Sequence, residues 1–297
     1  MGETTSGERR AAVEMPRAAR LIRGLFLVSH PFPAFLNATA GAIFFAVAGG
    51  WATAGAARLF LSILFTHAAI GALNDALDVD LDRRTKPAKP IIRGDLWRGA
   101  ALTAAAVAGA AGLLLSATFG AGTLAIAGLV LAAGVIYDLR AKGTLWSWVP
   151  YAVAIPALPV WGFLAAGRFT PLLLLSFPLG ALIALALNLA NTIPDLAGDT
   201  AYGLRGLAHR LGERRAVAVT RASFAASMVL LALTPVGLGN QPAILLPGIG
   251  LAAILFAAMI TDHAMNRSYA SLKRGWYLAA LIAAVLGASW VASLPTG

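Results

Sequence analysis

Four aspartates fall within eight positions, directly after one of the most apolar stretches of the chain, residues 59–73. They are Asp75, Asp78, Asp80 and Asp82, and the whole sequence holds only 13 acidic residues among 297. If the apolar helix continues past Asn74, the first, second and fourth aspartates share one face and Asp80 points away. Carboxylates at this spacing repel each other, so the pattern indicates a cation held between them.

A second polar cluster follows another apolar stretch and has the same helical spacing. Its members are Asn188, Asn191, Asp195 and Asp199. Pro194 lies inside this run and predicts a kink or a missing hydrogen bond there. Because both clusters follow long apolar segments, we expect them to face each other at the same end of a helical bundle.

Oxygen atoms alone supply the ligands in both clusters, because neither contains histidine and the chain has no cysteine. Such a donor set favours Mg²⁺ over zinc, and Mg²⁺ usually completes its shell with water and substrate phosphate oxygens. Basic residues that can bind a polyanion follow the first cluster, namely Arg83, Arg84, Lys86, Lys89 and Arg93. The alternative is an ordinary solvated charged loop, which the recurrence of the pattern in the second cluster disfavours.

The elements that must position these clusters are predicted to be membrane-spanning helices. Hydrophobic residues make up 59% of the chain and charged residues 12%, with a mean hydropathy of +0.77. We therefore predict an all-α polytopic membrane protein, since apolar runs of about 20 residues can cross the hydrocarbon core as helices. The nine predicted spans are 27–49, 53–73, 98–118, 121–137, 147–166, 171–192, 216–237, 242–261 and 275–294.

Charge distribution predicts the orientation in the cell membrane. Of the 23 Lys and Arg residues, all but Arg58 and Arg168 fall in the N-terminal tail or in segments on one side of the predicted spans. This bias places the N-terminus in the cytoplasm and the C-terminus outside. These basic segments account for the net charge of +10. We therefore expect anionic membrane lipids as partners and no nucleic acid.

We predict two regions in the chain. Residues 1–20 form a basic cytoplasmic tail that is expected to be disordered, and residues 21–297 form a single transmembrane domain. The two polar clusters lie four spans apart at equivalent places. This spacing suggests two four-helix halves with a ninth helix added, arranged around a central cavity.

The first cluster and the segment after it resemble the UbiA superfamily of intramembrane prenyltransferases. Residues 74–82 have the spacing N-D-x-x-D-x-x-x-D, and KPAKPIIRG at 86–94 is similar to that family's continuation. The second cluster, followed by GLRGLAHRLG at 203–212, resembles the second motif of the family. The segment YDLRAK resembles the tyrosine-and-basic segment of the same family, which singles out Tyr137, Arg140 and Lys142.

The resemblance implies Mg²⁺-dependent transfer of a prenyl group from a polyprenyl diphosphate. By the family's pattern the metal is held by Asp75, Asp78, Asp82, Asp195 and Asp199. Substrate contacts are expected from Asn74, Asn191, Asn188, Arg83, Lys89, Arg140 and Lys142. Tyr137 joins Asp75, Asp78, Asp195 and Asp199 as a catalytic candidate.

The acceptor is left open by these residues. We expect an aromatic acceptor of a quinone or pigment pathway, and the alternative is a glycerol-phosphate ether lipid or a carotenoid. A transporter with intramembrane carboxylates is a third hypothesis, disfavoured because the carboxylates cluster at one membrane face. Asn37 and His67 are further polar residues inside predicted spans. We expect helix–helix hydrogen bonding from each, and the alternative is contact with the acceptor or a role as an acid or base.

Overall fold

The computed structural model describes residues 15–50, 53–201, 205–266 and 268–294, without the side chains of residues 53, 197, 199 and 201. This part of the chain contains helices and no strands, so the prediction of an all-α protein is confirmed. The helices are α1 (Arg17–Val28), α2 (Pro31–Val47), α3 (Thr53–Leu77), α4 (Val79–Thr85), α5 (Arg98–Ala117), α6 (Ala121–Ile136), α7 (Val149–Ala165), α8 (Ser176–Thr192), α9 (Leu196–Ala201), α10 (Leu207–Leu238), α11 (Pro242–Asn266) and α12 (Tyr269–Ala292). A π-helical turn (Tyr137–Ala141) and two 3₁₀ turns (Pro171–Leu175 and Ile193–Asp195) extend α6 and flank α8.

Seven of the described helical segments are long and apolar enough to cross a membrane. They contain α3, α5, α6, α8, α10, α11 and α12. Helices α1 and α2 pass the same test together but are bent by 56°, and α7 is a shorter apolar helix of 17 residues. A multi-pass membrane protein is therefore confirmed, whereas the predicted count of nine spans is not.

The bend between α1 and α2 lies at His30. This residue has φ 49° and ψ 65°, a left-handed conformation that is uncommon for a residue with a side chain. Helix α1 begins at Arg17, so the predicted disordered tail of residues 1–20 is wrong at its C-terminal end. The helix forms there because Arg17, Arg20 and Arg23 alternate with apolar residues at helical spacing. Residues 1–14 of that predicted tail lie outside the described residues.

The helices pack as a closed bundle around a cavity. Helix α2 packs against α3 and α7, α8 packs against α7 and α10, and α12 contacts α2, α8 and α11. Close packing of α3 on α5 depends on Gly112, whose carbonyl accepts a hydrogen bond from Ser62 Oγ at 2.7 Å. This agrees with the close helix approach that small residues permit in membranes.

Both polar clusters lie where a spanning helix breaks. Helix α3 ends at Leu77, so the apolar helix does not continue regularly through Asp82, because Asp78 (φ −87°, ψ 7°) interrupts it before α4. Backbone bonds from Asp78 N to Asn74 O and from Asp82 N to Asp78 O keep the helical spacing across the break. The predicted break at Pro194 is confirmed by the 3₁₀ turn after α8. The missing N–H of Pro194 accounts for the second interruption.

Candidate active site

A cavity of about 670 Å³ lies inside the bundle. Its polar end contains residues from both clusters and from the π-helical turn, namely Asn74, Tyr137, Asp138, Lys142, Asn191 and Asp195. Its remaining wall is largely apolar and includes Phe44, Leu158, Leu187, Leu231, Leu286 and Trp290. The cavity therefore combines a charged end with a space suited to a hydrocarbon chain.

Three carboxylates of the first cluster do not line the cavity themselves but contact side chains that do. Lys89 Nζ contacts Asp75 Oδ1 and Asp82 Oδ2, both at 2.7 Å. His30 Nε2 lies 2.8 Å from the same Asp75 oxygen. Lys142 forms an ion pair with Asp78. Three of the four aspartates thus have a cationic partner from a different segment of the chain.

Burial changes the ionisation of the groups beyond the end of α3. Burial raises the pKa of the Asp82 carboxyl above its ordinary value, and the charge of Lys89 opposes this only in part. Burial by itself would lower the pKa of the Lys89 ammonium, but the carboxylates of Asp75 and Asp82 outweigh it and raise that pKa. Lys89 therefore stays charged between the two carboxylates.

The second cluster meets the first through a lysine of the loop after α4. Lys86 Nζ lies 2.8 Å from Asp195 Oδ2. The other carboxylate oxygen of Asp195 accepts a hydrogen bond of 3.4 Å from the Tyr269 hydroxyl at the start of α12. Asn191 Nδ2 donates to the Tyr151 hydroxyl at 3.2 Å. Asn191 and Asp195 of the second cluster therefore line the same cavity as Lys89, which contacts Asp75 and Asp82 of the first cluster.

The π-helical turn after α6 supplies the third part of the polar end. The Lys142 amide donates to the Tyr137 carbonyl five residues earlier, which is the widened bonding of a π-helix. The Tyr137 ring meets the Tyr151 ring edge to face, with centroids 5.5 Å apart. Asn74 Nδ2 donates to Asp138 Oδ1 at 2.7 Å and so ties α3 to this turn.

Several predicted site residues do not reach the cavity. Arg83 and Arg140 are exposed, and Arg83 pairs instead with Asp80 at 3.5 Å. Asn188 is buried and bonds through both amide atoms to Ser147, so it joins α8 to the segment before α7. None of these three side chains lines the cavity, in contrast to the substrate contacts predicted for them, because Arg83 and Arg140 are exposed to solvent and Asn188 is bound to Ser147. The side chain of Asp199 lies outside the described part of the chain.

The donor atoms at the polar end determine its fit to Mg²⁺. In the described residues no three aspartate or histidine side chains converge on one metal position, and lysine ammonium groups contact the carboxylates. A magnesium ion bound with diphosphate needs only one or two carboxylates, because phosphate oxygens and water complete its shell. Asp82 Oδ1 is buried without a hydrogen-bond partner among the described residues. A donor set made only of oxygen atoms, in which Asp82 Oδ1 has no hydrogen-bond partner among the described residues, fits a hard cation.

Some residues of the site were not anticipated from the sequence. His30, Tyr151, Tyr269 and Lys273 all line the cavity. Lys273 lies four residues after Tyr269, the tyrosine at which the apolar helix α12 begins, and this spacing was the available signal. The prediction from sequence placed Lys273 in a loop. Asn37 and His67 also line the cavity, although His67 Nδ1 lies 2.9 Å from the Ile63 carbonyl of its own helix.

A helical membrane bundle with carboxylates, lysines and tyrosines at one end of an apolar cavity is the arrangement expected of an intramembrane enzyme that acts on a lipid substrate. Comparison with known proteins identifies the family. The chain belongs to the UbiA prenyltransferase family, whose model matches residues 34–278. It is accordingly a prenyltransferase, as its sequence motifs predicted.

Curated relatives resemble most of the chain. A digeranylgeranylglyceryl phosphate synthase of Halobacterium salinarum is 31% identical over 264 residues, covering 84% of this chain and 83% of that protein. A protein of the same name from Methanothrix thermoacetophila is 27% identical over 230 residues, covering 75% of this chain and 84% of that protein.

Solved structures share the fold. A UbiA homologue from Aeropyrum pernix has a TM-score of 0.70 at 19% identity, covering 87% of this chain and 97% of that one. A UbiA homologue from Archaeoglobus fulgidus, bound to GPP and Mg²⁺, has a TM-score of 0.66 at 18% identity, covering 92% of this chain and 99% of that one.

Proposed function

We propose that this chain transfers a geranylgeranyl group from geranylgeranyl diphosphate to the free hydroxyl of geranylgeranylglyceryl phosphate, with Mg²⁺ as cofactor. The names of the curated relatives support this lipid acceptor over the aromatic acceptor expected from the sequence. The Mg²⁺ and GPP bound to the Archaeoglobus fulgidus homologue support the metal and the diphosphate donor.

The structural observation that carries the proposal is the arrangement of three lysines around one cavity end. Lys86, Lys89 and Lys142 line the cavity, and each contacts a carboxylate of the two clusters. When a diphosphate enters, these ammonium groups can turn from carboxylate oxygens to phosphate oxygens. The released carboxylates are then available to a hard cation.

In the proposed reaction the bond between C1 of the allylic chain and the diphosphate oxygen breaks, and its electron pair leaves with the diphosphate. The glyceryl hydroxyl oxygen forms the new bond to C1 and releases its proton to the departing diphosphate or to water. Bound Mg²⁺ supplies charge stabilisation for the leaving diphosphate. The rings of Tyr137 and Tyr151 offer electron-rich faces to the positive charge that develops on C1, and the apolar wall excludes water.

The test uses the full chain in detergent with radiolabelled geranylgeranyl diphosphate and one acceptor at a time, with Mg²⁺ or with EDTA. We expect labelled digeranylgeranylglyceryl phosphate from the lipid acceptor in Mg²⁺, and no product in EDTA. Asp75→Asn controls for activity from contaminating membrane enzymes. Labelling of a hydroxylated aromatic acid, with none of the glyceryl phosphate, would overturn the proposal.

A further inference from the structure

Lys273 is a cation in a membrane helix without a described carboxylate partner. It lies in the second turn of α12, is half-buried and lines the cavity. Among the described residues its ammonium forms no ion pair, whereas Lys86, Lys89 and Lys142 each contact an aspartate. A half-buried ammonium in the wall of a largely apolar cavity is costly to leave uncompensated, so a lysine with no ion pair among the described side chains points to an anionic ligand.

Lys273 belongs to a different element of the cavity wall than the three lysines of the diphosphate end. Tyr269, Lys273 and Tyr277 follow at intervals of four residues and share the cavity face of the helix. The Tyr269 hydroxyl contacts Asp195, and the Tyr277 ring packs against Phe32 with centroids 4.6 Å apart. Lys273 therefore lies one helical turn from the second cluster, on the wall formed by α12. The three other lysines come from the loop after α4 and from the π-helical turn.

We propose that Lys273 binds the phosphate monoester of the glyceryl phosphate acceptor, an inference that rests on the proposed function. The acceptor carries one phosphate at the opposite end of its glycerol from the attached prenyl chain, and this dianion needs a cation that the donor diphosphate does not use. An ammonium on the α12 wall of the cavity meets that need. It also orients the free glyceryl hydroxyl toward the polar end of the cavity, where the diphosphate departs. Lys273 is then a specificity-determining residue for phosphorylated acceptors.

The experiment compares the full-length wild type with Lys273→Gln in nanodiscs of neutral phosphatidylcholine, so that no anionic headgroup contributes. The acceptors are geranylgeranylglyceryl phosphate and the same lipid without phosphate. We expect Lys273→Gln to lower kcat/KM for the phosphorylated acceptor by about 10-fold to 100-fold, the effect of one charge-assisted hydrogen bond. For the phosphate-free lipid kcat/KM should change little, and Lys273→Arg should keep most of the preference.

Arg274→Gln is the matched control. It removes the same charge from the adjacent residue, but Arg274 pairs with Asp262 at 2.7 Å and does not line the cavity. The preference of Arg274→Gln for the phosphorylated acceptor should equal that of the wild type. Melting temperatures of all variants report whether each protein is folded.

Three results would overturn the inference. The first is an equal loss with both acceptors in Lys273→Gln, which would indicate a structural role. The second is that Lys273→Gln binds geranylgeranyl thiodiphosphate, a non-hydrolysable donor analogue, more weakly than the wild type but keeps the acceptor preference. This result would assign Lys273 to the donor site. The third is an unchanged preference in every variant. Failure of the wild type to use either glyceryl lipid would instead refute the proposed function, and the inference with it.

Discussion

Lys89 balances the charge of two buried carboxylates. Its side chain is 19% exposed, and those of Asp75 and Asp82 are 3% and 2% exposed. We expect Lys89→Gln to lower the melting temperature in detergent without Mg²⁺ by about 5–15 °C, because breaking a buried ion pair costs roughly 3–5 kcal/mol. Thermal unfolding of the purified protein measures this.

The control for Lys89 is Arg83→Gln. Arg83 and Asp80 are 65% and 95% exposed and pair at 3.5 Å, and exposed pairs contribute only about 0–1 kcal/mol. The melting temperature of Arg83→Gln should equal that of the wild type within about 2 °C. Equal losses in the two variants would show that burial does not distinguish the two pairs.

The aspartates of the first cluster should differ in their effect on turnover. Asp75→Asn is expected to reduce turnover at least ~100-fold, because a metal-bound leaving group requires several kcal/mol of charge stabilisation. Asp80→Asn should stay within about threefold of the wild type, since Asp80 points into solvent. Initial rates with saturating donor measure both, and equal losses would contradict the placement of Asp80 away from the site.

At the scale of elements, the α1–α2 bend is positioned by its contact with α3. A Cβ added at Gly71 would lie 3.0 Å from the Val28 carbonyl oxygen and 3.1 Å from His30 Cγ. Gly71→Ala should therefore push the bend away from α3 and weaken the bond between His30 and Asp75. We expect overpacking to cost about 1–3 kcal/mol of stability and turnover to fall about tenfold.

Gly128→Ala on α6 is the control for this helix contact, because its added Cβ would meet nothing within 4 Å. Melting curves and turnover should match those of the wild type. If Gly71→Ala behaved in the same way, the bend would not depend on close approach to α3.

At the scale of the whole molecule, both clusters should act as one binding site. Lys86 of the loop after α4 contacts Asp195 beyond α8, and Lys142 contacts Asp78. Asp78→Asn and Asp195→Asn should each weaken prenyl diphosphate binding in Mg²⁺. The double variant should lose much less than the sum of the single losses, because groups that act as a unit are non-additive.

Titration calorimetry in detergent on these four proteins, repeated in EDTA, decides between one site and two. Binding should collapse on chelation. Additive losses, or a diphosphate affinity unaffected by EDTA, would contradict a single site shared by both clusters.

The orientation of the bundle remains a prediction from charge. Because the chain has no cysteine, single cysteines can report it. Arg168→Cys should react with a membrane-impermeant maleimide in intact cells, and Arg83→Cys only after permeabilisation. The reverse pattern would place the N-terminus outside.

The local properties of this protein were predictable from its sequence. Apolar runs separated by polar breaks predict membrane helices, because a segment of about 20 apolar residues is stable only out of water. The spacing of Asp75, Asp78 and Asp82 predicted that Asp80 would point elsewhere, and Pro194 predicted a break. These features depend on neighbours within two helical turns, which the order of residues specifies.

The tertiary structure decided which partners those residues meet. His30 lies 45 residues from Asp75, and Lys142 lies 64 residues from Asp78. Their contacts depend on how α1, α3 and the π-helical turn pack, and no periodicity in the sequence encodes that packing. The same packing keeps Arg83, Arg140 and Asn188 out of the cavity. It also brings Lys273 into the cavity wall. A side chain reaches the site only if the packing of its segment turns it inward.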